Sequence, residues 1–207
     1  MCPPFPKKGL YAITPDISDT SLLLDKVEKA LIGGIALLQY RDKISNASEK
    51  TYRAKAIHTL CLQHSVPLII NDDPELALAC EAEGVHLGQT DGSIQHARAL
   101  LGDSAMIGIT CHHNIALAIT AEQQGADYVA FGRFFNSSTK PGTPLATIDT
   151  LINAKRNICI PIVAIGGITV DNVRPIISAG ASFTAVVDSL FSSTNISSMC
   201  KVFHNLF

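Results

Sequence analysis

The chain has no tryptophan, few charged residues and no apolar run long enough to cross a membrane. Only 16% of its 207 residues are Asp, Glu, Lys or Arg, and the formal net charge at pH 7 is −2. So small a net charge gives no reason to expect nucleic acid or an anionic membrane as a partner. No stretch approaches the roughly 18 apolar residues of a membrane span. Any anion that the protein binds must therefore be held by a local cluster of residues.

The sequence also has no CxxC pair, and we expect no secretory leader. Its six cysteines are scattered without a CxxC pair, which is typical of reduced, packed thiols. The first residues, MCPPFPKKGLYAIT, contain prolines where a signal peptide needs an apolar segment. We therefore expect a cytoplasmic protein. Its length and 47% hydrophobic content predict one globular domain over residues 1–207, with residues 1–8 as an N-terminal extension.

Eight short apolar runs alternate with helix-compatible stretches. The runs predict strands at Gly9–Thr14, Ile35–Tyr40, Pro67–Asn71, Gly84–Leu87, Ala105–Thr110, Asp127–Phe131, Pro161–Ile165 and Phe183–Val187. Helices are predicted at Asp19–Ile32, Asn46–His64, Pro74–Glu81, Ser93–Leu101, Ile115–Gln124 and Val170–Ala179. The strand runs are almost continuously hydrophobic, as strands covered on both faces must be. This alternation indicates a parallel sheet.

A closed barrel and an open doubly wound sheet both fit eight such units. An open sheet normally carries a glycine-rich phosphate loop after its first strand, but here Thr14-Pro15-Asp16 follows. Polar residues instead follow several different strands, as in an active site at one end of a barrel. The sequence therefore predicts a compact (β/α)₈ TIM barrel of the α/β class.

The second strand ends in a cluster of cations. In a strand, alternate residues share a face, so Gln39, Arg41 and Lys43 are expected to point the same way. Arg and Lys together suit a polyphosphate. The alternative is that these are solvated charges at a strand end.

Acidic residues follow the third and fourth strands. Asp72 and Asp73 end the third, and Asp91 follows the fourth. Carboxylates on neighbouring strand ends can bind Mg²⁺, which also takes phosphate oxygens from a substrate. Asp72 or Asp73 can instead cap the helix that begins at Pro74. We expect one of the two to cap this helix and the other to face the site.

The later strands are followed by loops that can bind phosphate. The segment 132–142 is long and carries hydroxyls beside Lys140, although a solvated loop explains it as well. Gly166-Gly167 ends the seventh strand, where barrels commonly bind phosphate through backbone N–H groups. His86 is interpreted as a core residue, whereas His112 and His113 follow the fifth strand, where a catalytic role is open. Neither a zinc site nor a covalent nucleophile is indicated.

Taken in order, these motifs resemble the thiamine phosphate synthase family. The similarity runs from residue 9 to about residue 191 through LYAIT, QYRDK, INDD, GVHLGQTD, IGITCH, GRFFNSSTK, IVAIGGI and AVV. The resemblance implies a transferase that joins 4-amino-2-methyl-5-hydroxymethylpyrimidine diphosphate to 4-methyl-5-(2-phosphoethyl)thiazole. Thiamine phosphate and pyrophosphate would be the products, formed through a methylene cation. Mg²⁺ would be the cofactor.

The resemblance also implies residue roles. Arg41, Lys43 and Lys140 would hold the pyrophosphate and act as the catalytic cations, and Asp72 and Asp91 would bind Mg²⁺. The remaining substrate-binding residues contact either the pyrimidine diphosphate or the thiazole phosphate. Gln39, Asn71 and Thr110 would contact the pyrimidine diphosphate. The thiazole phosphate would be contacted by Ser137, Thr139, the backbone at Gly167 and the Val187–Asp188 turn. The family often has serine where Asp188 stands, so an acidic side chain there must turn away from the phosphate.

Two alternative functions stay open. A thiazole tautomerase of the same barrel family would use a histidine equivalent to His112 to move a proton, but it has no pyrophosphate to bind. A non-catalytic phosphate-binding barrel would keep Gly166-Gly167 but would not need the acidic pair. The cations at 41, 43 and 140 favour the synthase. The oligomeric state does not follow from the sequence, and a homo-oligomer is an open alternative.

Overall fold

Eight short parallel strands close into a barrel in the computed structural model, which describes residues 5–135 and 145–207. The strands are β1 (Gly9–Ile13), β2 (Leu37–Tyr40), β3 (Leu68–Asn71), β4 (Gly84–Leu87), β5 (Met106–His112), β6 (Tyr128–Gly132), β7 (Ile162–Ile165) and β8 (Phe183–Val186). Each strand pairs with the next in sequence order, and β1 also pairs with β8. The predicted (β/α)₈ TIM barrel is confirmed.

Helices follow the strands and begin where the sequence supplies a cap. They are α1 (Thr20–Ile32), α2 (Ala47–His64), α3 (Pro74–Ala79), α4 (Ile94–Leu101), α5 (Ile115–Gln123), α6 (Ile148–Asn157), α7 (Val173–Ser178), α8 (Asp188–Phe191) and α9 (Ile196–His204). The side chains of Asp19, Asn46 and Ser93 accept hydrogen bonds from first-turn N–H groups of α1, α2 and α4. These polar caps fix the starts of the helices because they satisfy donors that have no partner within the helix.

The apolar residues form two layers that follow the alternation of each strand. The larger layer lies between the barrel and its helices and includes Leu10, Leu38 and Phe131. The smaller one fills the barrel interior and includes Ile13, Leu37 and others. A strand with both faces buried must be apolar on both, which explains the nearly continuous hydrophobic runs.

The amino end of the barrel is closed by aromatic rings. Phe5 stacks on Tyr128 with ring centroids 5.7 Å apart and meets the edge of Phe183 at 5.6 Å. Both partners are the first residues of their strands. The segment expected to be an N-terminal extension therefore contributes Phe5 to the interior packing, which leaves the carboxyl end as the accessible one.

The structure departs from the predicted elements in a few places. β5 extends two residues beyond Thr110, with a register shift against β6 between Thr110 and His112. α3 ends at Ala79 and α7 begins at Val173, so both are shorter than predicted. After β8 the chain forms the single-turn helix α8 and then α9, which packs against α1 and β1. In the described ranges, every helix is too short or too polar to span a bilayer.

Candidate active site

The β1 and β2 strand ends form one charged corner of the barrel mouth. The Thr14 hydroxyl donates to the Arg41 carbonyl at 2.9 Å and also lies 2.9 Å from the Arg41 backbone nitrogen, from which it accepts. Asp16 accepts from the Arg41 guanidinium at 2.9 Å and from the Lys43 backbone N–H at 2.8 Å. Asp16 and Thr14, which follow β1, therefore hold the Arg41 side chain and the backbone of the segment that follows β2.

A buried arginine on α2 fixes the β2–α2 connection. Arg53 on α2 is 1% exposed, and its guanidinium contacts Asp42 at 3.2 Å and also pairs with Glu49. It donates further hydrogen bonds to the Thr20 hydroxyl and to backbone carbonyls of the β1–α1 connection. The Tyr40 hydroxyl donates to Asp42 at 2.9 Å. Arg53 therefore fixes both loops that carry the rim charges.

The β3 and β4 ends supply the acidic part of the mouth. Asp73 caps α3 by accepting from the Leu76 N–H at 2.8 Å, whereas Asp72 accepts from Lys43 Nζ at 2.7 Å. The expectation that one of the two carboxylates caps α3 is confirmed for Asp73, and Asp72 faces Lys43 instead. Asp72 has a left-handed backbone conformation with φ of 64°, which is rare for a residue with a side chain.

The two carboxyl groups expected to bind a metal are neighbours. Burial raises the pKa of Asp72, but hydrogen bonds with Lys43 and Asp91, and the Lys43 charge, outweigh it and hold that pKa below its usual value. Asp91 is oriented by the Gly88 N–H, which donates to it at 2.9 Å. In the part of the chain that the structure describes, no group of three or more His, Cys, Asp or Glu residues could hold a metal ion.

A pocket of about 570 Å³ opens at this corner. It is lined by the ends of β2 and β3, by the β2–α2, β3–α3 and β4–α4 connections, and by residues of α2, α3 and α4. Its lining includes Lys43, Asn71, Asp72 and Asp91, four residues that the sequence placed in the site. Asn71 also hydrogen-bonds the Asp72 carboxylate. The acidic residues, one cation and an amide are therefore gathered around one cavity.

Gln39 and Thr110 lie at the ends of a polar chain inside the barrel. Gln39 is 3% exposed and donates to the Tyr11 hydroxyl, so it does not share the rim with Arg41 and Lys43 as the strand alternation predicted. The reason is that β2 ends at Tyr40, after which the chain leaves the strand and its alternation stops. His86 is a buried interior residue, as expected, and its imidazole bonds the Thr110 hydroxyl.

At the carboxyl ends of β7 and β8, the groups expected to contact a phosphate belong mainly to the backbone. Gly166 and Gly167 have φ of 106° and 65°, left-handed values that favour glycine. Gly167 is held by Asn172, whose side-chain amide donates to its carbonyl at 3.0 Å. Val187 caps α8, and Asp188 begins that helix with an exposed side chain. Ser137, Thr139 and Lys140 lie outside the described residues.

Several contributing residues were not identified from the sequence. The sequence gives no sign of a site role for Asp16, which follows β1, or for Arg53, which lies within the predicted helix Asn46–His64. Apart from Glu49, which lies four residues before Arg53 on α2, their partners lie in other connections or helices, so local spacing does not reveal them. The sequence does indicate the hydrogen-bonded side chains inside the barrel. Tyr11, Gln39 and His86 are polar residues at inward positions of otherwise apolar strands. His112 ends β5 with φ of 55° and is half-buried.

Comparison with known proteins gives one consistent family. The sequence matches the family model described as thiamine monophosphate synthase over residues 10–190. A thiamine-phosphate synthase of Marinobacter nauticus is 52% identical over 204 residues, covering 97% of this chain and 91% of that protein. One of Methylobacillus flagellatus is 50% identical over 202 residues, covering 98% and 96%.

Solved structures agree with this result. The thiamine phosphate pyrophosphorylase of Pyrococcus furiosus superposes with a TM-score of 0.86 at 28% identity, covering 97% of this chain and 95% of that one. A 3-hexulose-6-phosphate synthase reaches a TM-score of 0.69 at 14% identity over 95% of this chain and 99% of that one, a likeness of fold alone.

Proposed function

The chain belongs to the thiamine monophosphate synthase family of transferases, and we propose that the mouth of its barrel joins a pyrimidine diphosphate to a thiazole phosphate. The substrates would be 4-amino-2-methyl-5-hydroxymethylpyrimidine diphosphate and 4-methyl-5-(2-phosphoethyl)thiazole. The single observation that carries this proposal is the joining of Lys43, Asp72 and Asp91 around one pocket. A cation beside paired carboxylates suits a metal-bound diphosphate.

The reaction requires the bond between the methylene carbon and the diphosphate oxygen to break. The electron-rich aminopyrimidine ring stabilises the resulting methylene cation, and the thiazole nitrogen then donates its electron pair to form the new C–N bond. Arg41, Lys43 and Lys140 would neutralise charge on the departing pyrophosphate. Because that charge grows as the bond breaks, their contribution is larger in the transition state than in the bound substrate.

The acidic pair fits Mg²⁺ as part of a substrate complex. Asp72 and Asp91 are hard oxygen ligands within reach of each other, and the lowered pKa of Asp72 keeps it ionised. Mg²⁺ commonly takes one or two carboxylates and completes its coordination with waters and phosphate oxygens. When bound, it would add positive charge beside the leaving group. Lys43 would then exchange its contact with Asp72 for one with the diphosphate.

The remaining assignments rest on the family resemblance. Gln39, Asn71 and Thr110 would place the pyrimidine and its diphosphate. The thiazole phosphate would be held by Ser137, Thr139, the Gly167 backbone and the turn of Val187 and Asp188. Since α8 begins at Asp188, a backbone N–H at this turn can face a phosphate. We also propose a cytoplasmic location, since the described cysteines are free thiols.

The test is formation of thiamine phosphate from both substrates and Mg²⁺, compared between the wild-type protein and Asp91→Ala. We expect product with the wild type and loss of most Mg²⁺-dependent activity in the variant, because one carboxylate holds a dilute hard cation poorly. Asp25→Ala, at an exposed ion pair with Lys29, is the matched control. Full activity of Asp91→Ala with an unchanged Mg²⁺ requirement would contradict the metal assignment. Tautomerisation of the thiazole without condensation would instead favour the tautomerase alternative.

A further inference from the structure

A continuous chain of hydrogen bonds crosses the interior of the barrel. Gln39 Nε2 donates to the Tyr11 hydroxyl at 2.8 Å, which lies 2.9 Å from the Tyr128 hydroxyl. Tyr128 Oη is 3.1 Å from His86 Nδ1, and His86 Nε2 is 2.8 Å from Thr110 Oγ1. The chain therefore joins residues of five strands, and its two ends are residues assigned to the pyrimidine diphosphate.

The middle of this chain is dry and tightly packed. Tyr11 is 1% exposed and Tyr128 is fully buried. Gly108 makes room for Tyr128, because a Cβ at position 108 would overlap the tyrosine ring. Burial raises the pKa of both tyrosines well above the ordinary value, so both hydroxyls keep their protons. Each can therefore donate one hydrogen bond and must find an acceptor.

The orientation of the Gln39 amide, with Nε2 toward the Tyr11 hydroxyl, sets the direction of the chain. Tyr11 accepts from Gln39, and the only other polar group at its hydroxyl among the described residues is Tyr128. If Tyr128 donated to Tyr11, the Tyr11 proton would be buried without an acceptor, which is costly. Tyr11 therefore donates to Tyr128, and Tyr128 donates to His86 Nδ1. The imidazole then carries its proton on Nε2 and donates to Thr110.

We propose that Tyr128 is a positioning residue of the active site, which couples the tautomer of His86, through Tyr11, to the orientation of the Gln39 amide. With this polarity, Gln39 Oε1 is left as an acceptor and the Thr110 hydroxyl proton as a donor. An aminopyrimidine offers the complement, an amino donor beside a ring-nitrogen acceptor. A pyrimidinone presents the reverse pattern and is disfavoured. The proposal deepens the proposed function and rests on it for the identity of the ligand.

The first experiment measures the tautomer directly in the free protein. Long-range ¹H–¹⁵N correlation at about pH 8, where imidazoles are neutral, distinguishes a protonated nitrogen from an unprotonated one. His86→Gln identifies the resonance. We expect His86 to carry its proton on Nε2 in the wild type, and Tyr128→Phe to reduce the population of that tautomer. A proton on Nδ1 in the wild type would overturn the proposal, whether or not the protein is a synthase.

The second experiment measures specificity without chemistry. Calorimetric affinities are compared for the 4-amino pyrimidine diphosphate and its 4-hydroxy counterpart, with Mg²⁺ and without the thiazole. Tyr128→Phe should reduce the preference for the amino compound by about three- to tenfold, the scale of one hydrogen bond. Tyr52→Phe is the matched control, because Tyr52 is 64% exposed on α2. An equal loss of affinity for both compounds would indicate a structural role only and overturn the proposal. If the wild type binds neither compound, the proposed function fails, while the tautomer result stands on its own.

Discussion

Two ion pairs that begin at adjacent residues of the β2–α2 connection differ in almost every physical respect. Asp42 and Arg53 lie 3.2 Å apart with side chains 4% and 1% exposed, whereas Lys43 and Asp72 lie 2.7 Å apart with 49% and 28% exposed. A buried charge must keep its partner, because no water can replace it. An exposed one can exchange its partner for a ligand at little cost. The buried pair holds the loop, and the exposed pair is available to a substrate.

The largest expected effect is on stability, from removal of the buried cation. Arg53→Ala leaves Asp42 buried without its guanidinium and releases both loops of the mouth. We expect the free energy of unfolding to fall by about 3–5 kcal/mol, measured by urea denaturation. Lys29→Ala removes an exposed pair of similar length with Asp25, and it should cost only about 0.2–1 kcal/mol. Equal losses of unfolding free energy in the two variants would mean that burial does not make the Asp42–Arg53 pair more important for stability than the exposed Lys29–Asp25 pair.

The next largest effect is on turnover, from removal of the exposed cation. Lys43→Ala should raise the activation free energy by about 1.5–3 kcal/mol, slowing single turnover at saturating substrate by one to two orders of magnitude. Lys140→Ala is expected to act similarly. The unfolding free energy of Lys43→Ala should fall by less than about 1 kcal/mol. A variant that binds the diphosphate weakly but turns it over at the original rate would remove that lysine from the catalytic set.

The last effect is a pH dependence of stability carried by the Asp42 carboxyl of the buried pair. Burial raises the pKa of Asp42, but hydrogen bonds from Ser45, Ile44 and Tyr40 outweigh it and lower the pKa to about 2. Since this lies below the unfolded value of about 3.9, the stabilisation is complete above the unfolded value and is lost as pH falls through the folded one. Asp42→Asn should therefore show a shallower decline of unfolding free energy between about pH 5 and pH 2. Parallel curves for the two proteins would contradict this linkage.

The barrel was predictable because its signals are local and repeated. Each strand is a short apolar run in the sequence. Gly125 and Gly180 follow α5 and α7 with left-handed φ of 89° and 110°, as expected after a helix end. The charged residues of the mouth were also predictable, because parallel strands bring their carboxyl ends to one edge. Asp72 and Lys43 are 29 residues apart in the chain, yet they meet because they follow β3 and β2, which pair with each other.

The partners of these residues were harder to predict. Nothing near Arg41 in sequence indicates that Asp16, 25 residues earlier, accepts from its guanidinium. Arg53 looks like a surface residue of α2 until the packing of α1 against α2 buries it. Gln39 was placed at the rim because strand alternation was carried past Tyr40, where β2 ends. Local patterns give the type of element and its direction, but they do not give the depth of a side chain.

By itself, the sequence determined the order of strands and helices, the closure into a barrel and the kind of chemistry expected at its carboxyl end. These follow from hydrophobic periodicity and from short motifs, which act over a few residues. Only the tertiary structure decided which charges are buried, which of two adjacent aspartates caps α3, and how five polar side chains join across the interior. Those outcomes depend on solvent exclusion and on hydrogen-bond partners from different strands. Both arise only when the barrel closes and brings distant segments into contact.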